Sequence, residues 1–125
     1  MKLKDIIVMA AICCAVSIST GLSSSGVYAA NGEKIFKKCK SCHNFKKNGV
    51  GPNLAGIVGR EAGSLKFKYS RALKGMADEG LVWTEANLDK FLKKPRTFIK
   101  KTRMSFSGLK KDEDRKAVIE YLKGK

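Results

Sequence analysis

The sequence predicts an all-α domain of about four to five short helices. Three observations lead to this fold class. Apolar residues in the C-terminal half recur three and four positions apart, residues that favour helix caps precede them, and no stretch shows the sustained alternation of a β-strand. The chain has 125 residues, of which 43% are hydrophobic, so it is neither disordered nor a disulfide-dense miniprotein. No internal repeat or low-complexity linker divides it, which indicates a single domain.

The N-terminal segment has the three parts of a secretory signal peptide. Two lysines are followed by an uncharged apolar run from Ile6 to Ile18 and then by a small and polar stretch. Cleavage is expected after Ala29, because a later cut would place the bulky Tyr28 where a small residue is needed. We therefore predict a cleaved signal peptide at 1–29, a single domain at 30–125 and export to the periplasm.

An uncleaved membrane anchor is the alternative for this segment, with the domain facing the periplasm. The charge-free stretch from Ile6 to Leu22 is slightly short for a hydrocarbon core of roughly 30 Å, and hydroxyl side chains weaken its end. Cys13 and Cys14 lie in this stretch and are interpreted as small apolar residues of a segment that is later removed.

The mature domain is predicted to begin with a helix and then a long loop. The helix covers 33–38, with Asn31 as its cap. Ile35 and Phe36 are expected to face inward. Repeated glycines without any sustained period between 44 and 66 predict a loop. A loop of this length in a small domain usually wraps a ligand.

Three further helices are predicted after this loop. One covers 69–78. The next is capped by Thr84, ends before Pro95 and presents one apolar face made of Leu88, Phe91 and Leu92. The last begins near Asp112 with an acidic first turn and ends at Gly124. Acidic residues favour the start of a helix and glycine favours its end, so both signals predict the same helix.

The motif that carries chemistry is C-x-x-C-H, formed by Cys39, Cys42 and His43, the only histidine of the chain. Two thiols one helical turn apart can add to the two vinyl groups of a haem, and the adjacent imidazole can then ligate the iron. A structural disulfide would close a very small loop and stabilise little. A redox-active C-x-x-C is expected within a βαβ pattern, and no strand pattern appears in this sequence. A structural zinc site needs four Cys or His ligands, whereas the mature chain offers three.

A six-coordinate iron needs a second strong ligand, and methionine is the soft donor available. The mature chain contains Met76 and Met104. Met76 lies on a predicted helix, where methionine is more often a core residue. Met104 lies in a non-periodic segment beyond Pro95 that can fold across the opposite haem face, so Met104 is favoured and Met76 remains the alternative.

A haem also supplies apolar surface that so short a chain lacks. Its expected packing partners are Phe36, Leu54, Leu88, Phe91, Leu92 and Phe106. Its propionates need donors, for which the candidates are Arg60, Tyr69 and Trp83. Each candidate has a plainer interpretation, Trp83 as core, Tyr69 as a helix start and Arg60 as a solvated charge.

With these residues in view, the chain resembles the small soluble monohaem cytochromes c of bacteria and mitochondria over nearly all of 32–123. The matching pieces are Gly32–Phe36, Cys39–His43, Gly51–Gly56, Gly59-Arg60, Tyr69-Ser70, Leu81–Trp83, Lys94-Pro95, Thr102–Gly108 and Val118–Leu122. The resemblance implies the cytochrome c fold, wrapped around one covalently attached haem c, with the first and last helices crossing through Gly32, Phe36 and Tyr121.

The resemblance also implies roles for individual residues. Cys39 and Cys42 would form the thioether links, and His43 and Met104 would be the axial iron ligands. The carbonyl of Pro52 would orient His43. The propionates would be surrounded by Arg60, Tyr69, Trp83 and Thr102.

Two departures from the family pattern stand out. Lys100 and Lys101 replace a usual Pro-Gly pair, and these lysines could loosen the methionine loop or compete with Met104 for iron at high pH. Phe91 stands where many members have a tyrosine hydroxyl near the methionine sulfur. We expect its absence to tune the reduction potential, because hydrogen bonds to a ligand affect the metal.

With both axial positions filled, the expected function is one-electron transfer by a carrier rather than an enzyme. The chain has 26 Lys and Arg against 11 Asp and Glu, a net charge of +15, which indicates an anionic partner. The lysines expected to dock onto acidic faces of redox proteins, such as a quinol–cytochrome c reductase and a cytochrome c oxidase, are Lys37, Lys38, Lys40, Lys46, Lys47, Lys100 and Lys101. We expect a monomer without a nucleic-acid partner, with membrane contact at most transient.

Two alternatives stay open at this point. The chain could be a basic binding module for nucleic acid or anionic lipid, with the cysteines incidental, although export and the histidine of the motif argue against nucleic acid. It could instead hold a haem with a labile Met104 and act as a peroxidase-like or ligand-sensing protein.

Overall fold

The computed structural model describes residues 25–125. Five helices follow one another, α1 Ser25–Phe36, α2 Arg71–Asp78, α3 Glu85–Lys93, α4 Pro95–Phe98 and α5 Asp112–Lys123. The only β pairing within these residues is an isolated bridge between Glu61 and Val82. The all-α prediction is therefore confirmed. The apolar part of the predicted signal peptide lies outside the described residues, and none of the helices in 25–125 has the length and apolarity needed to cross a membrane.

The first helix differs from its prediction. α1 begins at Ser25 and passes through Asn31, so the prediction of Asn31 as a cap is wrong for this chain. No proline precedes Asn31, and Ala29 and Ala30 favour helix, so nothing in the sequence stops the helix from starting earlier. The predicted cleavage point after Ala29 lies within α1 and stays a prediction.

The crossing of α1 and α5 brings the two ends of the domain together. A Cβ atom at Gly32 would overlap the carbonyl oxygen of Ala117, so the two helices approach at a distance that only glycine permits. Phe36 is 6% exposed and lies with its ring centroid 5.5 Å from that of Tyr121 and 4.8 Å from that of Phe45. The crossing expected through Gly32, Phe36 and Tyr121 is what the structure shows.

Side-chain caps set the starts of α2 and α3. The hydroxyl of Ser70 accepts a hydrogen bond from the backbone N–H of Leu73 at 3.1 Å, so α2 begins after Ser70 rather than at Tyr69. The hydroxyl of Thr84 accepts one from Asn87 at 3.2 Å, which confirms the predicted cap of α3. α3 ends before Pro95, which in turn occupies the first position of the short α4.

One hydrophobic core joins the helices to the intervening loops. Its buried members include Phe36, Ile57, Trp83, Leu88, Phe91, Leu92, Ile99, Leu109, Val118, Ile119 and Leu122. Half-buried apolar side chains from the loops pack against it, among them Cys39, Leu54, Tyr69, Met104 and Phe106. The core therefore has a partly open margin that contains the residues singled out in the sequence.

Candidate functional site

The C-x-x-C-H motif forms a helical turn directly after α1. The backbone N–H groups of Cys42 and His43 both donate to the carbonyl of Cys39, at 3.1 and 2.9 Å. Cys39 is half-buried against the core and Cys42 is exposed. Burial raises the pKa of the Cys39 thiol, the neighbouring Cys42 raises it further, and the charge of Lys38 opposes both. The turn thus presents two thiols one helical turn apart.

The imidazole of His43 is fixed by a backbone carbonyl. Its Nδ1 lies 2.7 Å from the carbonyl oxygen of Pro52, which can only accept, so Nδ1–H donates and Nε2 keeps a free lone pair. Burial lowers the pKa of His43, while the bond to Pro52 acts in the opposite direction. A neutral imidazole with one free ring nitrogen is the form that ligates a metal.

Gly51 gives the ring of His43 its space. A Cβ atom at Gly51 would lie 2.7 Å from Nδ1 and 2.8 Å from Nε2 of the imidazole, closer than van der Waals contact allows. The backbone N–H of Gly51 also donates to the carbonyl of Cys42 at 2.8 Å, which ties the loop to the motif. The absence of a side chain at Gly51 is therefore part of the site.

Arg60 holds the loop that carries Pro52. Its guanidinium donates to the carbonyl oxygens of Ala55 at 3.0 Å and Asn53 at 2.9 Å. Burial lowers the pKa of Arg60, and the nearby Tyr69 opposes this shift. The predicted propionate donor thus has a visible role in fixing the loop backbone.

Asn48 was missed by sequence reasoning. Its side-chain NH2 donates to the carbonyl of Lys66 at 2.9 Å, and its side-chain oxygen accepts from the backbone N–H of Asn53 at the same distance. It therefore links two parts of the long loop between α1 and α2. No sequence pattern singles out Asn48, because the bridge depends on tertiary contact.

The aromatic candidates divide between core and margin. Trp83 and Phe91 are buried with ring centroids 5.0 Å apart, so the structure gives both a core role. Tyr69 is half-buried and meets Phe67 edge to face at 5.1 Å. Other predicted pocket residues at the half-buried margin of the core are Leu54 and Phe106.

The methionine loop connects α4 to α5. Met104 is half-buried against the core, and its backbone N–H donates to the hydroxyl of Thr102 at 3.3 Å. Met76 is also half-buried, on α2. Lys101 has a φ of 62°, a left-handed conformation that costs a side-chain-bearing residue about 1 kcal/mol. The N-terminal part of this loop therefore carries backbone strain.

These residues fit a covalently attached haem. The donor set consists of two thiols on one turn, a neutral imidazole with a free nitrogen, and a thioether on a non-helical loop. The apolar side chains around it are half-buried, as expected beside a planar apolar ligand.

Comparison with known proteins identifies the family. The sequence profile named Cytochrome c matches residues 29–124. The chain belongs to the cytochrome c family.

Individual relatives agree with this assignment. The chain is 47% identical over 102 residues to cytochrome c2 of Afifella marina, covering 78% of this chain and 82% of the relative. It is 50% identical over 91 residues to cytochrome c2 iso-2 of Magnetospirillum molischianum, covering 70% and 91%. Among solved structures, cytochrome cH from Methylobacterium extorquens superposes with a TM-score of 0.73 at 44% identity, covering 78% of this chain and 98% of that one.

Membership of the family gives the cofactor and the class of activity. This cytochrome c carries one covalently bound haem c, and the C-x-x-C-H motif at Cys39, Cys42 and His43 fits that attachment. It is a monohaem electron carrier and not an enzyme. All seven predicted docking lysines are exposed, and none forms an ion pair with a carboxylate of residues 25–125.

Proposed function

We propose that this cytochrome c is an exported carrier that takes single electrons from membrane-bound respiratory complexes or dehydrogenases to a terminal oxidase. Cys39 and Cys42 hold the haem through thioether bonds, and His43 and Met104 ligate its iron. The observation that carries the assignment of His43 is the 2.7 Å bond from its Nδ1 to the carbonyl of Pro52, since it leaves Nε2 free.

The haem would supply the ferric and ferrous states, and side chains of the protein would hold its iron. The Pro52 carbonyl keeps His43 in one tautomer and orientation. Met104 lies on a loop whose neighbouring apolar residues pack against the core. With His43 and Met104 holding the iron, substrate would have no open place on it, and the bound haem would supply one-electron transfer only.

The docking surface is defined here as Lys37, Lys38, Lys40, Lys46, Lys47, Lys100 and Lys101. Four of these lysines flank the C-x-x-C-H turn, Lys40 lies within it, and two lie at the start of the methionine loop. Exposed and unpaired ammonium groups attract an acidic partner over a distance of about one Debye length, roughly 8 Å at physiological salt. The surface therefore suits the acidic faces of a quinol–cytochrome c reductase and a cytochrome c oxidase.

The periplasmic location rests on the three-part N-terminal segment. Export also places the chain where a membrane-bound donor and a membrane-bound acceptor face the same compartment. The uncleaved anchor is the alternative form, and N-terminal sequencing of purified protein distinguishes the two. A mature chain beginning at Ala30 supports cleavage after Ala29.

Salt should slow electron transfer to the oxidase. We expect the second-order rate constant to fall about tenfold between low and high ionic strength, because screening removes the attraction between docking surface and partner. Lys47→Gln should lower the rate at low salt and reduce its salt dependence. Stopped-flow oxidation of ferrous protein measures both effects.

Lys116→Gln is the matched control for this experiment. Lys116 is exposed on α5 beside Glu120 and Asp89, away in sequence from both parts of the docking surface. Lys116→Gln removes the same charge as Lys47→Gln and should leave the rate constant of oxidation nearly unchanged. A rate that is indifferent to salt, or an equal loss in both variants, would contradict the docking surface.

A further inference from the structure

Arg115 is the one buried charged side chain among residues 25–125, with 2% of its surface exposed. It lies on α5, and neither the haem motif nor the docking surface uses it. Its Nε donates to the carboxylate of Asp89 on α3 at 2.7 Å, and its Nη2 donates to the carboxylate of Asp112. The guanidinium is thus paired with one carboxylate on each of two helices.

The same guanidinium also holds backbone. Nη1 of Arg115 donates to the carbonyl oxygens of Leu109 at 2.9 Å and Lys110 at 3.0 Å. These carbonyls belong to the last part of the loop that carries Met104. Hydrogen bonds from a charged donor are stronger than those from a neutral one, so Arg115 fixes this backbone firmly.

Two further contacts fasten the same end of the loop to α3. The backbone N–H of Leu109 donates to the carbonyl of Leu92 at 2.8 Å. Gly108 has a φ of 104° and leaves no space for a Cβ atom against the carbonyl of Lys93. The chain after Met104 is therefore held between α3 and α5.

The part of the loop before Met104 is held less firmly. Lys101 is in the left-handed conformation, and Arg103 makes only a long bond of 3.4 Å to the carbonyl of Lys68. Ile99 anchors the far end as a fully buried side chain. The backbone N–H of Thr102 also donates to the carbonyl of Ile99 at 3.1 Å, so the loop is fastened at both ends, but only the later end is held by a buried charged donor.

Stability alone does not account for a buried guanidinium. Burial of the guanidinium costs desolvation, and solvent screens both of its ion pairs because the side chains of Asp89 and Asp112 are 39% and 67% exposed. The distinctive contribution of Arg115 is directional, because one planar group bonds two carbonyls and two carboxylates at once.

We propose that Arg115 is a positioning residue for the axial methionine, which keeps Met104 on the iron by fastening the C-terminal end of its loop. This inference rests on the proposed ligation of iron by Met104. It makes the buried Arg115, with its half-buried partner Asp89 and its exposed partner Asp112, part of the redox site.

The test uses ferric holoprotein at one fixed pH and free imidazole as the competing ligand. Its apparent affinity rises in proportion to the population in which Met104 has left the iron. Arg115→Met fills similar volume and leaves two carboxylates that solvent can reach, so it should fold with a lower free energy of unfolding. It should bind imidazole about tenfold more tightly than the unaltered protein, since its loop carbonyls lose a charged donor. Asp112→Asn, at an exposed partner, should shift the affinity in the same direction by less.

Val118→Ala is the control for a merely structural effect. Val118 lies on the same helix, is 1% exposed and, unlike Arg115, has no hydrogen bond to the methionine loop. It should lower the free energy of unfolding and leave imidazole affinity nearly unchanged. If Arg115→Met shifts the affinity no more than Val118→Ala does, the positioning role is wrong while Met104 ligation stands.

The unaltered protein separates this inference from the proposed function. Its ferric spectrum should show the weak far-red band of an iron–methionine bond, and imidazole should remove that band. If the band is absent before imidazole is added, the ligand assignment itself is wrong and the role of Arg115 falls with it.

Discussion

Met104→Ala should abolish the far-red band of the ferric protein, lower the reduction potential and allow the ferrous iron to bind carbon monoxide. The thioether is a soft ligand that favours the ferrous state, so its loss favours the ferric state. Its removal also opens an axial position that the protein otherwise fills. Visible spectroscopy with a redox titration measures all three changes.

Met76→Ala is the matched control, because residues 30–125 contain only these two methionines. Met76 is half-buried on α2, like Met104 on its loop, so both substitutions remove a similar apolar side chain. Met76→Ala should lower stability and keep the far-red band. Loss of the band in Met76→Ala and its retention in Met104→Ala would reverse the ligand assignment.

Gly51→Ala should prevent normal ligation by His43. The added methyl group would overlap the imidazole, so the ring must turn away from the carbonyl of Pro52 or the loop must move. Overpacking of this kind costs about 1–3 kcal/mol, which is roughly tenfold to a hundredfold in the ligation equilibrium. We expect a correspondingly lower yield of low-spin holoprotein, measured by the ratio of haem absorbance to protein.

Gly49→Ala is the control for this substitution. A Cβ atom at Gly49 would lie 3.4 Å from the carbonyl oxygen of Cys42, which needs little adjustment, and it lies in the same loop as Gly51. The yield and spectrum of this variant should stay close to those of the unaltered protein. Equal losses in both variants would mean that the loop as a whole, and not the space beside His43, limits haem binding.

The boundaries of helices with local signals were predictable from sequence, whereas the start of α1 was not. Thr84 and Pro95 mark the two ends of α3. Thr84 caps its start by a hydrogen bond and Pro95 ends it by steric exclusion, and both effects depend only on nearby residues. Asn31 and Gly32 normally favour a helix boundary, yet both lie inside α1. A glycine is needed at position 32 because α5 packs closely against it, and this tertiary contact leaves no local sequence pattern.

The site shows the same division. Cys39, Cys42 and His43 are adjacent in sequence, so their chemistry was visible in one motif. Asn48 and Arg115 act through residues distant in sequence, or through backbone carbonyls, which no composition or spacing indicates. Arg115 in particular resembles any other charge of a basic chain until its burial is known.

The most direct test of the central claim is the visible spectrum of protein exported in a host with haem-attachment machinery. We expect sharp bands in the reduced protein, a weak far-red band in the oxidised protein, and colour that stays with the chain after denaturation and acid-acetone extraction. That result fits thioether attachment at Cys39 and Cys42 with iron held by His43 and Met104. A colourless protein, or colour that passes into the acetone, would contradict it.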